Sequence, residues 1–411
     1  MGFCLVLGGA ASIAGADSSD RGSFGPVDLA YARRPVSQKT AIVSHVDRLV
    51  WPTLISPALV RSGGRLRVIV RLTKGPDGKD ILPKKVLEGD GHGAEGTAWG
   101  LYLLPAPGRP PARCPVMSWR RVGRGYLRIE ARVPVSLARD VYELRLVAPG
   151  IDESQPNAVR VYGGREANRF RFVVMTDHQL WDPSYALFGR ALNSGAYPKR
   201  PKTRQLNASI TRQGFDEVSL LDPAFVLYTG DLIFGLDFTA EYRQAREELR
   251  RSRLPIFAVP GNHDGYAVYT VRLKGSALHW VTKTLVCQKH LRGELSWERL
   301  WAFIGCFYGD VKSMLYADLQ QDGLAFWRRQ LGPTEYAFDY GRFRFIAVNT
   351  YAGTPERRHA FSIYMDALDL HLGAPAVDNY GGYLTDAQLA RIEHELATAR
   401  RRGLTPIVFG H

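Results

Sequence analysis

Four stretches of the sequence place metal-ligating or proton-transferring side chains directly after an apolar run. RFVVMTDHQ brings Asp177, His178 and Gln179; FVLYTGDLIFG brings Asp231; IFAVPGNHDGY brings Asn262, His263 and Asp264; PIVFGH ends on His411. Carboxylate, amide and imidazole together suit divalent transition metals better than calcium or structural zinc. A carboxylate such as Asp231 can bridge two ions roughly 3.5–4 Å apart, the arrangement used for phosphoryl chemistry. Gly230 and Gly261 let the backbone turn where a ligand must point inward. Singly, each stretch also reads as an ordinary strand-end turn. In this order, each after an apolar strand, they read as one site.

The elements that must position these residues are strands at 170–176, 225–229, 256–259, 343–349 and 407–409. Helices fall between them, at 240–251 and from Thr385, where Thr385 and Gln388 have capping-box spacing. Leu389, Ile392 and Leu396 would form that second helix's buried face. Strand–helix alternation predicts an α/β (α+β layered) domain, with its site in loops at the carboxyl ends of the strands. In front of it the period is two: Leu66, Val68, Val70 and Leu72 alternate with Arg65, Arg67 and Arg71, and Leu127, Ile129, Ala131 and Val133 repeat the pattern. Turn residues (Ser62-Gly63-Gly64, Pro76-Asp77-Gly78, Gly123-Arg124-Gly125) separate these strands, which predicts a small all-β, Ig-like sandwich. The expected boundaries are a signal-like segment at 1–16, a polar linker at 17–45, the sandwich at 46–165 and the catalytic-type domain at 166–411. An insertion at 265–335, rich in Trp (280, 297, 301, 327), is expected to form a partly helical cap. Trp301 and Phe307, with Trp181 and Tyr185, are expected to pack rather than to stack on bases.

Gly-Asp followed by Gly-Asn-His-Asp, each after an apolar strand, resembles the calcineurin-like metallophosphoesterase superfamily over residues 168–411. YAFDYG before FRFIAVNT and GGYLTDAQLARIEHEL before PIVFGH are similar to later parts of that fold, and PTLISPALV resembles the β-sandwich that often precedes it. The resemblance implies a metallophosphoesterase sandwich holding two divalent transition-metal ions (Mn, Fe or Zn). Asp177 would bind the first, Asp231 both, Asn262 and His411 the second. His263 would be the general acid, held by Asp264, and a metal-bridging hydroxide the nucleophile on a small phosphorylated substrate, monoester or diester.

Two departures qualify it, and one branch of the family fits less well. The family's first motif is Asp-x-His, and Gln179 stands at the His position; its amide would bind a metal weakly or orient water, while His178 should point the other way. The purple acid phosphatase branch fits less well, since its tyrosine should follow closely after Gly-Asp, where Leu232-Ile233-Phe234 stands. The last family motif, Gly-His-x-His, should lie beyond His411, so the expectation is of a truncated reading frame with weak or no ion binding. The rival reading is an inactive binding protein on the same fold.

Composition fits both readings. Hydrophobic residues make up 45% and charged ones 23%, and 54 basic against 40 acidic residues give a net charge of +14. That excess attracts anions such as phosphate esters. Its short runs at 199–202 and 400–402 match no nucleic-acid reader, so no nucleic-acid partner is expected. No apolar run is long enough to span a bilayer. Ala14-Gly15-Ala16 after a short apolar stretch resembles a cleavable export signal, though no positive charge precedes it, and the reading is of an exported protein. Cys287 and Cys306 are then the candidate disulfide pair, with buried thiols as the alternative. His359 is expected at the surface and Asp378-Asn379-Tyr380 in a turn.

Overall fold

The computed structural model describes residues 5–8, 49–71, 99–105, 109–122, 126–148, 151–163, 167, 169–180, 203–235, 238–270, 296–303, 318–355, 358 and 382–411. The cleavage site at 14–16, the linker, the basic run at 199–202, Cys287 with Cys306, Trp181, Tyr185, Trp280, Phe307, His359 and 378–380 lie outside them, as do the turns at 76–78 and 123–125. Among the described residues no helix is long and apolar enough to cross a membrane.

The chain opens with β1 (Leu5–Gly8), followed by β2 (Leu49–Trp51), β3 (Ala58–Arg61), β4 (Arg65–Arg71), β5 (Gly100–Leu104), β6 (Ala112–Cys114), β7 (Val116–Arg121), β8 (Tyr126–Arg132), β9 (Asp140–Ala148) and β10 (Ile151–Tyr162). Strands β2 to β10 form two sheets, ordered β3-β10-β9-β5-β6 and β2-β4-β8-β7. Only the β3–β10 pair is parallel. The period-two pattern is the cause. Leu66, Val68, Val70, Leu127, Ile129 and Ala131 of one sheet are fully buried, as are Leu101, Leu103, Leu144 and Leu146 of the other. Cys114 is a buried free thiol, and burial pushes its pKa up to about 12.

The second half continues with β11 (Arg171–Met175), α1 (Thr203–Leu220), β12 (Phe225–Tyr228), α2 (Phe238–Ser252), β13 (Ile256–Ala258) and the one-turn α3 (Asn262–Gly265). After these come β14 (Ala267–Thr270), β15 (Asp318–Asp322), α4 (Gly323–Gln330), β16 (Tyr336–Tyr340), β17 (Phe343–Ala347), α5 (Asp386–Arg401) and β18 (Thr405–Phe409). β11, β12 and β13 are parallel neighbours, with β1 antiparallel on the outer side of β11. The second sheet runs β16-β17-β18, its last pair parallel. Every residue of β12 is buried, which is why its sequence is a continuous apolar run.

Between the two sheets lies an aromatic layer. Phe257 stacks on Phe338 with ring centroids 3.7 Å apart, and Phe225 meets Phe345 edge-on at 5.1 Å. On the far side of the first sheet, α2 buries Phe238, Tyr242, Ala245 and Leu249, which recur at helical spacing. Trp327 of α4 is fully buried in that same cluster, so this end of the 265–335 segment belongs to the core. Trp301, expected to pack, is 54% exposed.

Helix α5 corrects another expectation. Leu389 and Leu396 are 47% and 37% exposed, and the inward residues are Gln388, Glu395 and Ala399. Polar partners turn the helix this way. Arg344 Nε of β17 donates to Glu395 at 2.7 Å, and Gln388 Nε2 donates to the Asn349 carbonyl at 2.8 Å. Buried groups of this kind stay satisfied only with those faces together. The sandwich is tied to the second half at strand β13. The Ile55 carbonyl accepts from Ala258 N at 3.0 Å and from the Tyr336 hydroxyl at 3.1 Å. Asn157 Nδ2 donates to the Leu249 and Arg250 carbonyls, satisfying the C-terminal end of α2.

Candidate metal centre

The loops after β11 and β12 run side by side beyond the ends of their strands. Asp177 N donates to Gly230 O at 3.1 Å, Gln179 N to Asp231 O at 2.9 Å and Leu180 N to Leu232 O at 2.9 Å. This continuation holds an unusual backbone. Asp177 (φ +59°), Gln179 (φ +45°) and Asp231 (φ +56°) all occupy the left-handed region. Such conformations cost on the order of 1–3 kcal/mol each and persist only where the surroundings impose them. Three in one place, all with polar side chains, mark a built site.

The third loop is pressed against the second. A Cβ on Gly261 would lie 2.2 Å from Asp231 Oδ1, and one on Gly230 would lie 2.7 Å from Gly261 N. Only glycine permits both approaches. Asp231, 3% exposed, then receives the His263 backbone N–H on Oδ1 at 3.0 Å and Gln179 Nε2 on Oδ2 at 3.2 Å. Burial raises the Asp231 pKa, against the pull of His263 and His411.

His411 reaches this point from the end of β18. Its Nδ1 donates to the Thr229 carbonyl at 2.8 Å, which leaves Nε2 without a proton in the neutral ring. Nε2 lies 3.1 Å from Asn262 Oδ1 and 3.6 Å from Asp231 Oδ1. Asn262 turns its oxygen inward because its Nδ2 donates to the Tyr266 hydroxyl at 2.9 Å. With the ring neutral, two lone-pair atoms and a carboxylate converge there, an arrangement that a cation relieves. Ligand atoms of Asp177, Asp231 and His411 lie within 4.8 Å of one another. This donor set fits a divalent transition ion, and the carbonyl behind His411 is the outer partner such ligands normally have.

His263 stands beside this cluster. Its Nδ1 is hydrogen-bonded to the Phe234 carbonyl at 2.7 Å, and its Nε2 faces Asp231 Oδ2 at 3.9 Å. The expectation that Asp264 holds the His263 ring is corrected. Asp264 is fully buried and its carboxylate accepts from Gly261 N at 2.9 Å, Leu232 N at 3.1 Å and Ile233 N at 3.2 Å. Its work is to clamp the third loop to the second. Burial, then the Asp231 charge, pushes the Asp264 pKa well up, while the three N–H donors pull it back.

The positions of Asp177, Gln179, Asp231, Asn262, His263 and His411 around one point agree with their order in the sequence. Sequence reading missed Tyr266 and the Phe234 and Thr229 carbonyls. Tyr266 was legible as the residue four after Asn262 in a helical turn; the carbonyls carry no sequence signal.

His178 points away from the site, between the rings of Phe215 and Tyr228, with Nδ1 2.6 Å from the Tyr228 hydroxyl. Burial pushes its pKa from 6.5 down to about 4, against a small upward pull from Asp177. Between those values the unfolded chain binds a proton that the folded chain refuses, so stability falls as pH drops through that window. The loss reaches about 3 kcal/mol near the lower end. His178→Phe should flatten the pH dependence of the melting temperature over this range. An unchanged slope would refute the assignment.

No curated protein matches the chain. Among solved structures it is similar to a purple acid phosphatase isolated from yellow lupin (Lupinus luteus) seeds, at 13% sequence identity and a TM-score of 0.25. That alignment covers 78% of this chain and 47% of the other, so the chain spans just under half the length of that structure. A likeness this weak carries no part of the assignment. Residues 170–411 match the calcineurin-like phosphoesterase family, a span that takes in all four metal-type loops. With more than half of its length inside that match, the chain belongs to the calcineurin-like phosphoesterase family.

Proposed function

We propose that the protein hydrolyses small phosphate esters with divalent transition-metal ions, Mn, Fe or Zn, at this centre. The observation that carries the reading is the convergence of Asp177, Asp231, Asn262 and His411 donor atoms from four separate strand ends. Asp231 would serve both ions; its Oδ1 lies 3.6 Å from His411 Nε2, and its Oδ2 accepts from Gln179 Nε2. One ion would take Asp231, Asn262 and His411, the other Asp177 and Asp231 with the Gln179 amide alongside. Bound divalent ions supply Lewis acidity, polarising phosphoryl oxygens and acidifying water.

The chain's own residues do the rest. Asp177 and Asp231 set the charge of the pocket, and the left-handed backbone at both sets the direction in which each side chain leaves the chain. His263, anchored by its Nδ1–H on the Phe234 carbonyl, keeps Nε2 toward the site, and as the imidazolium it would hand the Nε2 proton to the departing ester oxygen and return to the neutral ring. The formal charge of +14 raises the local concentration of anionic esters.

The test is Mn²⁺ uptake by calorimetry together with release of nitrophenolate from p-nitrophenyl phosphate and its bis-ester. Asp231→Ala should remove both uptake and turnover. His263→Ala should leave uptake in place and lower kcat by about 10²–10⁴-fold. Folded protein that takes up no Mn²⁺, or turnover that survives Asp231→Ala, would overturn the proposal.

A further inference from the structure

The sandwich carries a charged face that the catalytic reading does not use. In β4 the inward residues are Leu66, Val68 and Val70, so Arg65, Arg67 and Arg71 share the opposite side with Ile69. In β8 the same side holds Arg128, Glu130 and Arg132, and in β7 it holds Ser118 and Arg120. The register sets Arg65 directly across from Arg132, and Arg128 directly across from Arg120. Like charges in those positions destabilise a sheet.

Glu130 is the one carboxylate among the described strand residues of this face. Arg65, Arg67 and Arg128 crowd it at 3.3, 3.4 and 3.2 Å. Among the described strand residues of this face six guanidinium groups meet one carboxylate, and the groups feel each other. Burial lowers the Arg128 pKa first, and the Arg120 charge lowers it further. The apolar side of the same sheet makes most of the core, with Ile69 and Tyr126 of the charged side buried beneath the arginines.

The shape of the array selects its partner. It is three strands wide, roughly 10 Å across and 20 Å along β4. Its apolar members are sealed, Tyr126 at 3% and Ile69 at 8% exposure, so the face offers no ring for stacking bases. A nucleic-acid strand presents phosphates along a line, whereas a bilayer presents them in a plane. We propose that the arginine face of sheet β2-β4-β8-β7 docks the protein on an anionic lipid surface, through headgroup phosphates and carboxylates. The chain-wide charge of +14 draws the protein to that surface from a distance.

Charge reversal at Arg120 and Arg132 separates this role from a structural one. Both are exposed, and each new carboxylate would face an arginine across the ladder, Arg128 or Arg65. The expected result has two parts. The wild-type chain floats with phosphatidylcholine vesicles containing about a third phosphatidylserine and not with pure phosphatidylcholine. Arg120→Glu/Arg132→Glu lowers that partition by at least about tenfold while raising the melting temperature. Arg400→Glu/Arg401→Glu, which removes the same charge at the exposed end of α5, leaves partition within about twofold. The proposal is overturned if the double variant still floats, if the α5 variant loses as much, or if the chain binds duplex DNA more tightly than the vesicles.

Discussion

Asp264→Ala is expected to destabilise the folded chain by about 3–5 kcal/mol, read as a shift in the denaturant midpoint followed by tryptophan fluorescence. The carboxylate is fully buried and serves three backbone donors, Gly261, Leu232 and Ile233. Removing it leaves those N–H groups unsatisfied in a site that water does not reach, and each such loss costs about 1–3 kcal/mol. Asp264→Asn should be nearly as harmful, since its NH₂ would be turned against donors. The comparison that decides the role is with His263→Ala. If Asp264 acted by holding the His263 ring, both substitutions would lower kcat and leave stability alone. A clamp predicts the reverse for Asp264: stability is lost in the apo chain, before any ion or substrate is added. An Asp264→Ala chain as stable as wild type would end this account.

Gly261→Ala should have the largest effect on ion binding of any single methyl group added to the chain. Its Cβ would stand 2.2 Å from Asp231 Oδ1 and 2.6 Å from Asp231 N, with the side-chain carbon at 3.0 Å. The backbone conflict cannot be relieved by a rotamer change, so one of the two loops must move. Either movement pulls Asp231 away from His411 and Asn262. Mn²⁺ affinity should fall by more than about tenfold, with a stability loss of about 1–3 kcal/mol from overpacking. The reason for this glycine is close approach, because its φ of −94° is open to any residue. Mn²⁺ titration of the variant with unchanged affinity would show that the loops have slack.

Much of the site was legible without a structure. Asp177, Asp231, Asn262, His263 and His411 each follow an apolar run, and in a layered α/β fold such runs end on one side of the sheet. Order along the chain was therefore enough to bring the donors together. The period of two likewise revealed the sandwich, because alternation is the imprint of one wet and one buried face. The Arg65, Arg67 and Arg71 row was visible in the same pattern, although its meeting with Arg120, Arg128 and Arg132 was not.

What only the tertiary structure decided are the partners. Asp264 sits beside His263 in sequence, yet its carboxylate turns to the N–H groups of another loop and the Phe234 carbonyl takes the ring. His178 and Gln179 were expected on opposite sides of the chain, but their partners, Tyr228 in the core for one and Asp231 for the other, come from another strand and its loop. Leu389 and Leu396 satisfy an apolar stripe but face water, since Arg344, Glu335 and Asn349 offer Glu395 and Gln388 stronger contacts. Periodicity records which face a residue is on. Which group satisfies a buried charge or N–H depends on atoms brought from far along the chain, and those positions exist only once the loops have closed on one another.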